Sequence, residues 1–334
     1  MAYHSDVVQR ATDKLKENAR QHREQFDLRR ERIYRQIPEL SAIERQMAQT
    51  VRRAAQTALV KDLDPAPVIQ RAKEQNLALQ ARRDSLLAAG GYQKEDLTYR
   101  PRCRWCEDKG WRGAEMCRCL QELCAQEQVK ELSSMLDLGD QSFDTFDLDY
   151  YSPIFDHEID CSPRIRMELS LAICFAFADK FGKSKVRNLF LTGGPGLGKT
   201  FLSASIARVV SEKGYSVVYD SAINVFNRFD AQKFGRDSRA DSDVERYLTC
   251  DLMILDDLGS ETNTPFALAA LYQLINTRLV MNRSTVISSN LSPTELESRY
   301  NPSIASRING DYTHVLFYGE DIRKQKKDRG DHMF

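Results

Sequence analysis

Short apolar runs punctuate the C-terminal part of the chain at residues 186–191, 216–219, 252–255, 285–288 and 314–317. Each has the length of a buried strand, and longer stretches of helical spacing lie between most of them. The pattern predicts a parallel sheet flanked by helices. Ahead of the first strand, Met167, Leu171, Cys174, Phe175, Ala178 and Phe181 mark one apolar face of a helix, with its aromatics expected in the core. The first hundred residues read differently. They are rich in Arg, Lys, Glu, Gln and Ala and nearly free of Gly, which favours helix. Leu40, Ile43, Met47 and Val51 recur at helical spacing, and Pro38 suits the first turn of that helix. Pro65 and Pro67 separate it from a second helical run that ends before Gly90 and Gly91. The expected organisation is a helical N-terminal region over 1–99, a Cys-rich segment over 100–131 and an α/β domain over 132–334. No internal repeat is visible.

Composition refines this picture. A chain of 334 residues with 42% hydrophobic and 29% charged content is long enough for two domains, or for one domain with a long appendage, and fits a globular protein with a polar, helical portion. The formal net charge of +0 removes any global attraction to polyanions, so a nucleic-acid contact needs a local patch. Residues 1–61 carry 13 Lys/Arg against 8 Asp/Glu. This surplus fits a solvated helix face, or a surface for nucleic acid or a partner protein. Residues 1–20 have no apolar stretch, and the longest apolar run, 171–178, is too short to span a bilayer. A cytoplasmic protein with no membrane partner is expected. Its cysteines should be reduced there, so a tight cysteine cluster reads as a metal site before it reads as disulfides.

The stretch Gly193-Gly194-Pro195-Gly196-Leu197-Gly198-Lys199-Thr200 fits the phosphate-binding pattern G-x-x-x-x-G-K-[ST]. Glycines let backbone N–H groups approach phosphate oxygens, and the following helix offers its N-terminus to the anion. Lys199 sets a point charge on the β- and γ-phosphates, and the Thr200 hydroxyl is expected to ligate Mg²⁺. Phe201 is counted with the nucleotide-binding residues. The bland alternative is a glycine-rich turn without a ligand, but a strand before it and a helix after it supply the required context. Downstream, an apolar strand ends in Asp256 and Asp257. Asp256 is expected to hold Mg²⁺ directly or through water, and Asp257 to orient or deprotonate the attacking water. Asn290, at the end of a later strand, is placed either for the γ-phosphate or attacking water, or as a cap before Ser292-Pro293. Arg299, Arg307 and Arg323 follow as candidates for a guanidinium on the γ-phosphate, and spacing does not choose among them.

Cys103-x-x-Cys106 is followed by Cys117-x-Cys119. Two close thiol pairs suit tetrahedral Zn²⁺, with an iron–sulfur cluster or no metal as alternatives. Cys124 is one helical turn beyond and could substitute as a ligand. Cys161, Cys174 and Cys250 read as buried small apolar residues.

Residues 188–202, Leu255-Asp256-Asp257-Leu258-Gly259, Ser289-Asn290-Leu291-Ser292 and Phe317-Tyr318-Gly319-Glu320-Asp321-Ile322-Arg323 resemble the AAA+ ATPases of the DnaC/DnaI group, the bacterial replicative helicase loaders. The cysteine cluster and Phe143-Asp144-Thr145-Phe146 resemble firmicute and phage members of that group. The likeness is specific over about residues 100–325. Over the first hundred it rests on helical character and Ile37-Pro38-Glu39-Leu40.

The resemblance implies a P-loop AAA+ module with a parallel sheet flanked by helices and no large C-terminal helical lid. A helical N-terminal region and a small zinc-binding segment would precede it. Asn290 would be the first sensor, Arg307 the arginine finger reaching a neighbouring copy's ATP, and Arg323 a second sensor. Residues 221–247 would correspond to an insertion used against DNA or neighbours, with a polar loop at 232–243. The N-terminal helices and zinc segment would grip a hexameric replicative DNA helicase. Copies bound to ATP would self-associate through their ATP sites and open or build the ring around single-stranded DNA, and hydrolysis would favour release. Two other readings stand beside this one. One is an IstB-type ATPase serving a transposase, which the zinc segment and helical N-terminus disfavour. The other is a nucleotide-gated module for single-stranded DNA, using Tyr215, Tyr219, Phe226 and Phe229 unless these aromatics pack the core.

Overall fold

The computed structural model describes residues 3–58, 66–136, 141–235 and 240–329. It divides into two compact units, Met1–Thr12 with Leu120–Phe334, and Asp13–Cys119.

The smaller unit is built on α1 (Ser5–Gln36) from Asp13 onward, α2 (Glu39–Ala58) and α3 (Ala66–Ala89). Ile33, Leu40 and Leu87 form its core, with Ile37, Tyr34, Tyr92 and Leu97 packed around them. Pro38 precedes α2 and Pro67 sits in the first turn of α3, where a missing N–H costs nothing; Pro65 lies outside the described residues. The apolar stripe of α2 is buried only at its start. Leu40 and Ile43 are covered, but Val51 is 57% exposed because the packed core gathers at the other end of the helix. A two-stranded antiparallel hairpin, β1 (Trp111–Arg112) and β2 (Glu115–Met116), follows in the cysteine segment.

Besides the start of α1, the larger unit contains most of α4 (Arg118–Leu136) and all of α5 (Pro163–Asp179). Strands and helices then alternate: β3 (Leu189–Thr192), α6 (Lys199–Glu212), β4 (Val217–Ser221), α7 (Ala222–Lys233), α8 (Ala240–Thr249), β5 (Leu252–Leu258), α9 (Pro265–Val280), β6 (Ser284–Ser289), α10 (Pro293–Arg299), α11 (Pro302–Asp311), β7 (Thr313–Leu316) and α12 (Ile322–Arg329). The five larger strands form one parallel sheet in the order β4–β5–β6–β3–β7. Every run expected as a strand contains one, although the first begins at Leu189 rather than at Val186, which is exposed. Alternate residues feed opposite faces: Leu189 and Leu191 join the layer of α5 and α6, and Phe190 joins that of α7, α9 and α11. The result is a parallel sheet covered by helices on both sides.

Two expectations about aromatics are resolved. Phe175 is 51% exposed, with its ring edge-on to Phe143, and Phe177 takes the core position instead. The buried set Met167, Ser170, Cys174, Phe177, Ala178 and Phe181 keeps strict three- and four-residue spacing, which Phe175 breaks. Tyr219, Phe226 and Phe229 are buried, and Tyr215 packs against the core. These aromatics are therefore packing residues rather than an exposed DNA platform. Residues 221–247 are largely α7 and α8, which bury Val225, Val244 and Tyr247 against the sheet; residues 236–239 of the polar stretch lie outside the described residues. Among the described residues no helix is long and apolar enough to cross a membrane.

Candidate nucleotide and metal sites

The phosphate loop joins β3 to α6 at the C-terminal edge of the sheet. Gly196 has φ +71°, and a Cβ there would lie 1.9 Å from an Asp321 carboxylate oxygen. Gly198, the residue ahead of α6, has φ +85° and faces the Phe146 ring at 3.0 Å from any added Cβ. Glycine is required at both, by backbone conformation and by space. The loop is tied down from two sides. The Ile322 N–H donates to the Gly196 carbonyl at 3.0 Å, and the Tyr151 hydroxyl donates to the Leu197 carbonyl at 3.0 Å.

Lys199 is 8% exposed. Its ammonium donates at 2.7 Å to each of the carbonyls of Gly193 and Gly194 and to Oδ1 of Asn290. Burial lowers its pKa to about 8, the carboxylates of Asp256 and Asp257 oppose the shift, and the Arg323 cation adds to it. A cation held half-desolvated in this way gains most from an anion brought against it.

Asp256 and Asp257 end the buried part of β5, where the pairing with β6 shifts register between Leu255 and Leu258. Asp257 adopts φ +57°, unusual for a residue with a side chain. The bulge sends the carboxylates to different partners. Asp256 Oδ2 accepts from Thr200 Oγ1 at 3.2 Å and from the Tyr219 hydroxyl at 2.8 Å, and its Oδ1 accepts from Ser288 Oγ. Asp257 Oδ1 accepts from Asn290 Nδ2 at 3.0 Å, and its N–H donates to Ser288 Oγ at 2.9 Å. Asn290 therefore bridges Lys199 and Asp257. The juxtaposed Thr200 hydroxyl and Asp256 carboxylate are hard oxygen donors of the kind Mg²⁺ takes, so these two fit the expected ion.

Pro195, Gly196, Leu197, Gly198, Lys199, Thr200, Phe201, Asp256, Asp257, Asn290 and Arg323 all line one cleft of about 800 Å³. Arg307 does not. It lies on α11, half-buried against Tyr272, with its guanidinium carbon 5.3 Å from that ring. Arg299 is tied to Glu261. Of the three arginines, only Arg323 reaches the cleft of its own chain.

Sequence reasoning missed several residues here. Phe146 stacks at 5.9 Å on Tyr151 and meets Phe201 edge-on at 5.4 Å, forming an aromatic wall. Lys326 and Lys327 on α12 join the lining. Tyr219 and Ser288 hold Asp256, and no local motif marks them. Burial first, then the Asp256 charge, pushes the Tyr219 hydroxyl well above its ordinary pKa, so it stays a donor. Tyr219→Phe keeps the packing and deletes one bond to a charged acceptor, worth about 2 kcal/mol. The Mg²⁺ concentration for half-maximal ATP turnover is expected to rise by up to about thirtyfold; an unchanged Mg²⁺ titration would dissociate Tyr219 from the metal site.

In the smaller unit, Cys103, Cys106, Cys117 and Cys119 converge with all four sulfurs within 4.8 Å of one another. The pairs Cys103–Cys117 and Cys106–Cys119 are each 3.5 Å apart. A tetrahedron with Zn–S of about 2.3 Å has S–S edges of about 3.8 Å, so the group is compatible with zinc. The surrounding backbone is shaped for it. Gly110 N–H donates to Cys106 Sγ at 3.3 Å, Cys117 N–H donates to the Gly110 carbonyl at 2.9 Å, and Asp108 accepts from the N–H groups of Arg102 and Cys103. Backbone donation from Cys106 lowers the Cys103 thiol to about 7. Cys124 belongs to the larger unit, fully buried on α4, and Cys174 and Cys250 are also buried, whereas Cys161 is partly exposed. Metal analysis is expected to return about one zinc ion per chain, lost in Cys106→Ser; a metal-free wild-type chain would leave the cluster as plain thiols.

Comparison with known proteins agrees with the cleft. Residues 171–329 match the family model for the IstB-like ATP binding protein. The chromosomal replication initiator protein DnaA of Rickettsia bellii (strain RML369-C) is 30% identical over 158 residues, which are 46% of this chain and 32% of that protein. DnaA of Rickettsia massiliae (strain Mtu5) is 30% identical over 159 residues, 47% of this chain and 33% of that one. The chain thus spans about a third of the length of these curated relatives. A crystal structure of the DnaC helicase loader aligns with 55% of this chain and 99% of its own, at 19% identity and a TM-score of 0.45. The match covers the phosphate loop, the paired carboxylates, Asn290 and Arg323, and residues 171–329 are thus similar to an IstB-like ATP-binding domain.

Proposed function

We propose that this chain hydrolyses ATP and uses the cycle to load a hexameric replicative helicase onto single-stranded DNA. The observation that carries the ATPase part is the convergence of Lys199, Thr200, Asp256, Asp257 and Asn290 on one cleft. Lys199 and the loop N–H groups bind the triphosphate, and Thr200 with Asp256 holds Mg²⁺, which would neutralise phosphate charge. Asp257, oriented by Asn290, positions the attacking water and accepts its proton. Arg323 supplies cationic charge from the same chain. Arg307, which does not line its own cleft, acts on the ATP of a neighbouring copy. The helical region 1–99 serves as the helicase grip, the thiol-bearing segment 100–131 as a zinc-binding support beside it, and 132–334 as the motor.

A pull-down of the replicative helicase by the full chain, with and without ATP, tests this reading. Nucleotide-dependent capture is expected, and no capture in either state would sink the loader assignment. The family match supports a second reading, an IstB-type ATPase serving a transposase. Capture of a transposase in place of the helicase would select it.

A further inference from the structure

We propose that the cysteine knuckle presents a stacking surface for single-stranded nucleic acid, centred on Trp105 and Arg112 and continued by Tyr99 and Arg23. This places the DNA of the loader reading on the smaller unit. It rests on that reading only for the identity of the ligand, and on nothing in the ATP cleft.

Trp105 lies between the first two thiols and is 43% exposed. The Arg112 guanidinium on β1 lies over its ring, 5.5 Å from the centroid. The loop beneath is held by the Asp108 carboxylate and by the Gly110 N–H bond to Cys106, so the indole is presented by a pre-organised support. Six residues earlier in the chain, the Arg23 guanidinium lies 4.7 Å from the Tyr99 ring, which His22 and Phe26 also pack. A six-residue segment reaches at most about 20 Å, so one short oligonucleotide can meet both pairs.

The charge is one-sided. Residues 99–119 contain six Lys/Arg and three Asp/Glu. Glu107 is paired with Lys109, and Asp108 is turned onto backbone N–H groups. Arg23, Arg100, Arg102, Arg104 and Arg112 form no ion pair among the described residues. On a chain of formal net charge +0 this is a local basic patch. An acidic protein surface would need only the arginines. An exposed indole beneath a guanidinium, with a second aromatic–arginine pair close by in sequence, adds π-faces for unpaired bases beside cations for phosphates.

The test uses the full-length, zinc-loaded chain and labelled oligothymidylate, with oligouridylate to separate DNA from RNA. Trp105→Ala is expected to weaken binding about tenfold, while Trp105→Phe, which still stacks, retains most of it. Arg112→Ala is expected to weaken binding and flatten its salt dependence. Zinc content and helicase capture are measured on the same preparations. No binding by the wild-type chain, or undiminished binding by Trp105→Ala and Arg112→Ala, overturns the proposal. So does loss of helicase capture with oligonucleotide binding intact, which would make the face a protein-docking surface. Failure of helicase capture by the wild-type chain alone would instead count against the loader reading.

Discussion

Lys199→Ala is expected to reduce ATP turnover to background, a loss of at least about a hundredfold, in a chain that still folds. The ammonium sits where three oxygens converge, 2.7 Å from each, and no other cation contacts the carbonyls of Gly193 and Gly194 in this way among the described residues. In the proposed cycle, removing it takes away the charge that would meet the β- and γ-phosphates. The sheet loses little, because Lys199 stands at the start of α6 and outside both hydrophobic clusters. Steady-state hydrolysis and a thermal melt check the two halves of this expectation, and normal turnover in a well-folded variant would mean the site is wrongly placed.

The same lysine sets a pH dependence. Its pKa is about 8 in the folded protein against 10.5 ordinarily. Between these values the unfolded chain keeps a proton that the folded chain has released, so the lysine's contribution to stability is fully present above 10.5 and is lost as pH falls through 8. ATP favours the charged form. Nucleotide affinity is therefore expected to decline as pH rises above 8, with proton uptake on binding, while Lys199→Ala shows neither effect.

Arg307→Ala is expected to lower hydrolysis on the order of a thousandfold in assemblies of the chain and to leave the isolated chain unchanged. The guanidinium packs on Tyr272 and does not line its own cleft, so the proposed finger role requires a triphosphate held by another copy. Its Nε is buried without a hydrogen-bond partner, an unsatisfied donor that a neighbouring copy's phosphate would compensate after a modest shift. Mixing Arg307→Ala with Lys199→Ala creates sites with a sound cleft and a sound finger from different chains. Partial recovery of turnover is expected, and a mixture as inactive as its parts would rule out action across subunits.

The local parts of this protein were legible without coordinates. The apolar runs gave every strand of the larger sheet, and the cleft residues 195–201, 256, 257 and 290 were all named from motif and spacing. Cys103, Cys106, Cys117 and Cys119 were grouped correctly because two close pairs separated by a short turn leave few other ways to converge. Helical spacing failed at Phe175, where an exposed aromatic sits one residue off the buried stripe. It also overran at Val51, where the pattern continues past the packed core.

Composition, periodicity and short-range spacing thus determined the elements, the phosphate loop and the thiol group, because each depends on residues close together in the chain. The tertiary structure alone decided which distant residues complete the cleft. Parallel pairing brings Ser221 of β4 opposite Asp256, and the bulge in β5 turns that carboxylate toward Tyr219 and Ser288. The return of the chain after β7 lays Asp321 against Gly196 and brings Arg323 to the cleft, while Arg307 is left on another face. These contacts join positions separated by 30 to more than 100 residues, and their partners follow from the sheet order β4–β5–β6–β3–β7, which no local pattern encodes.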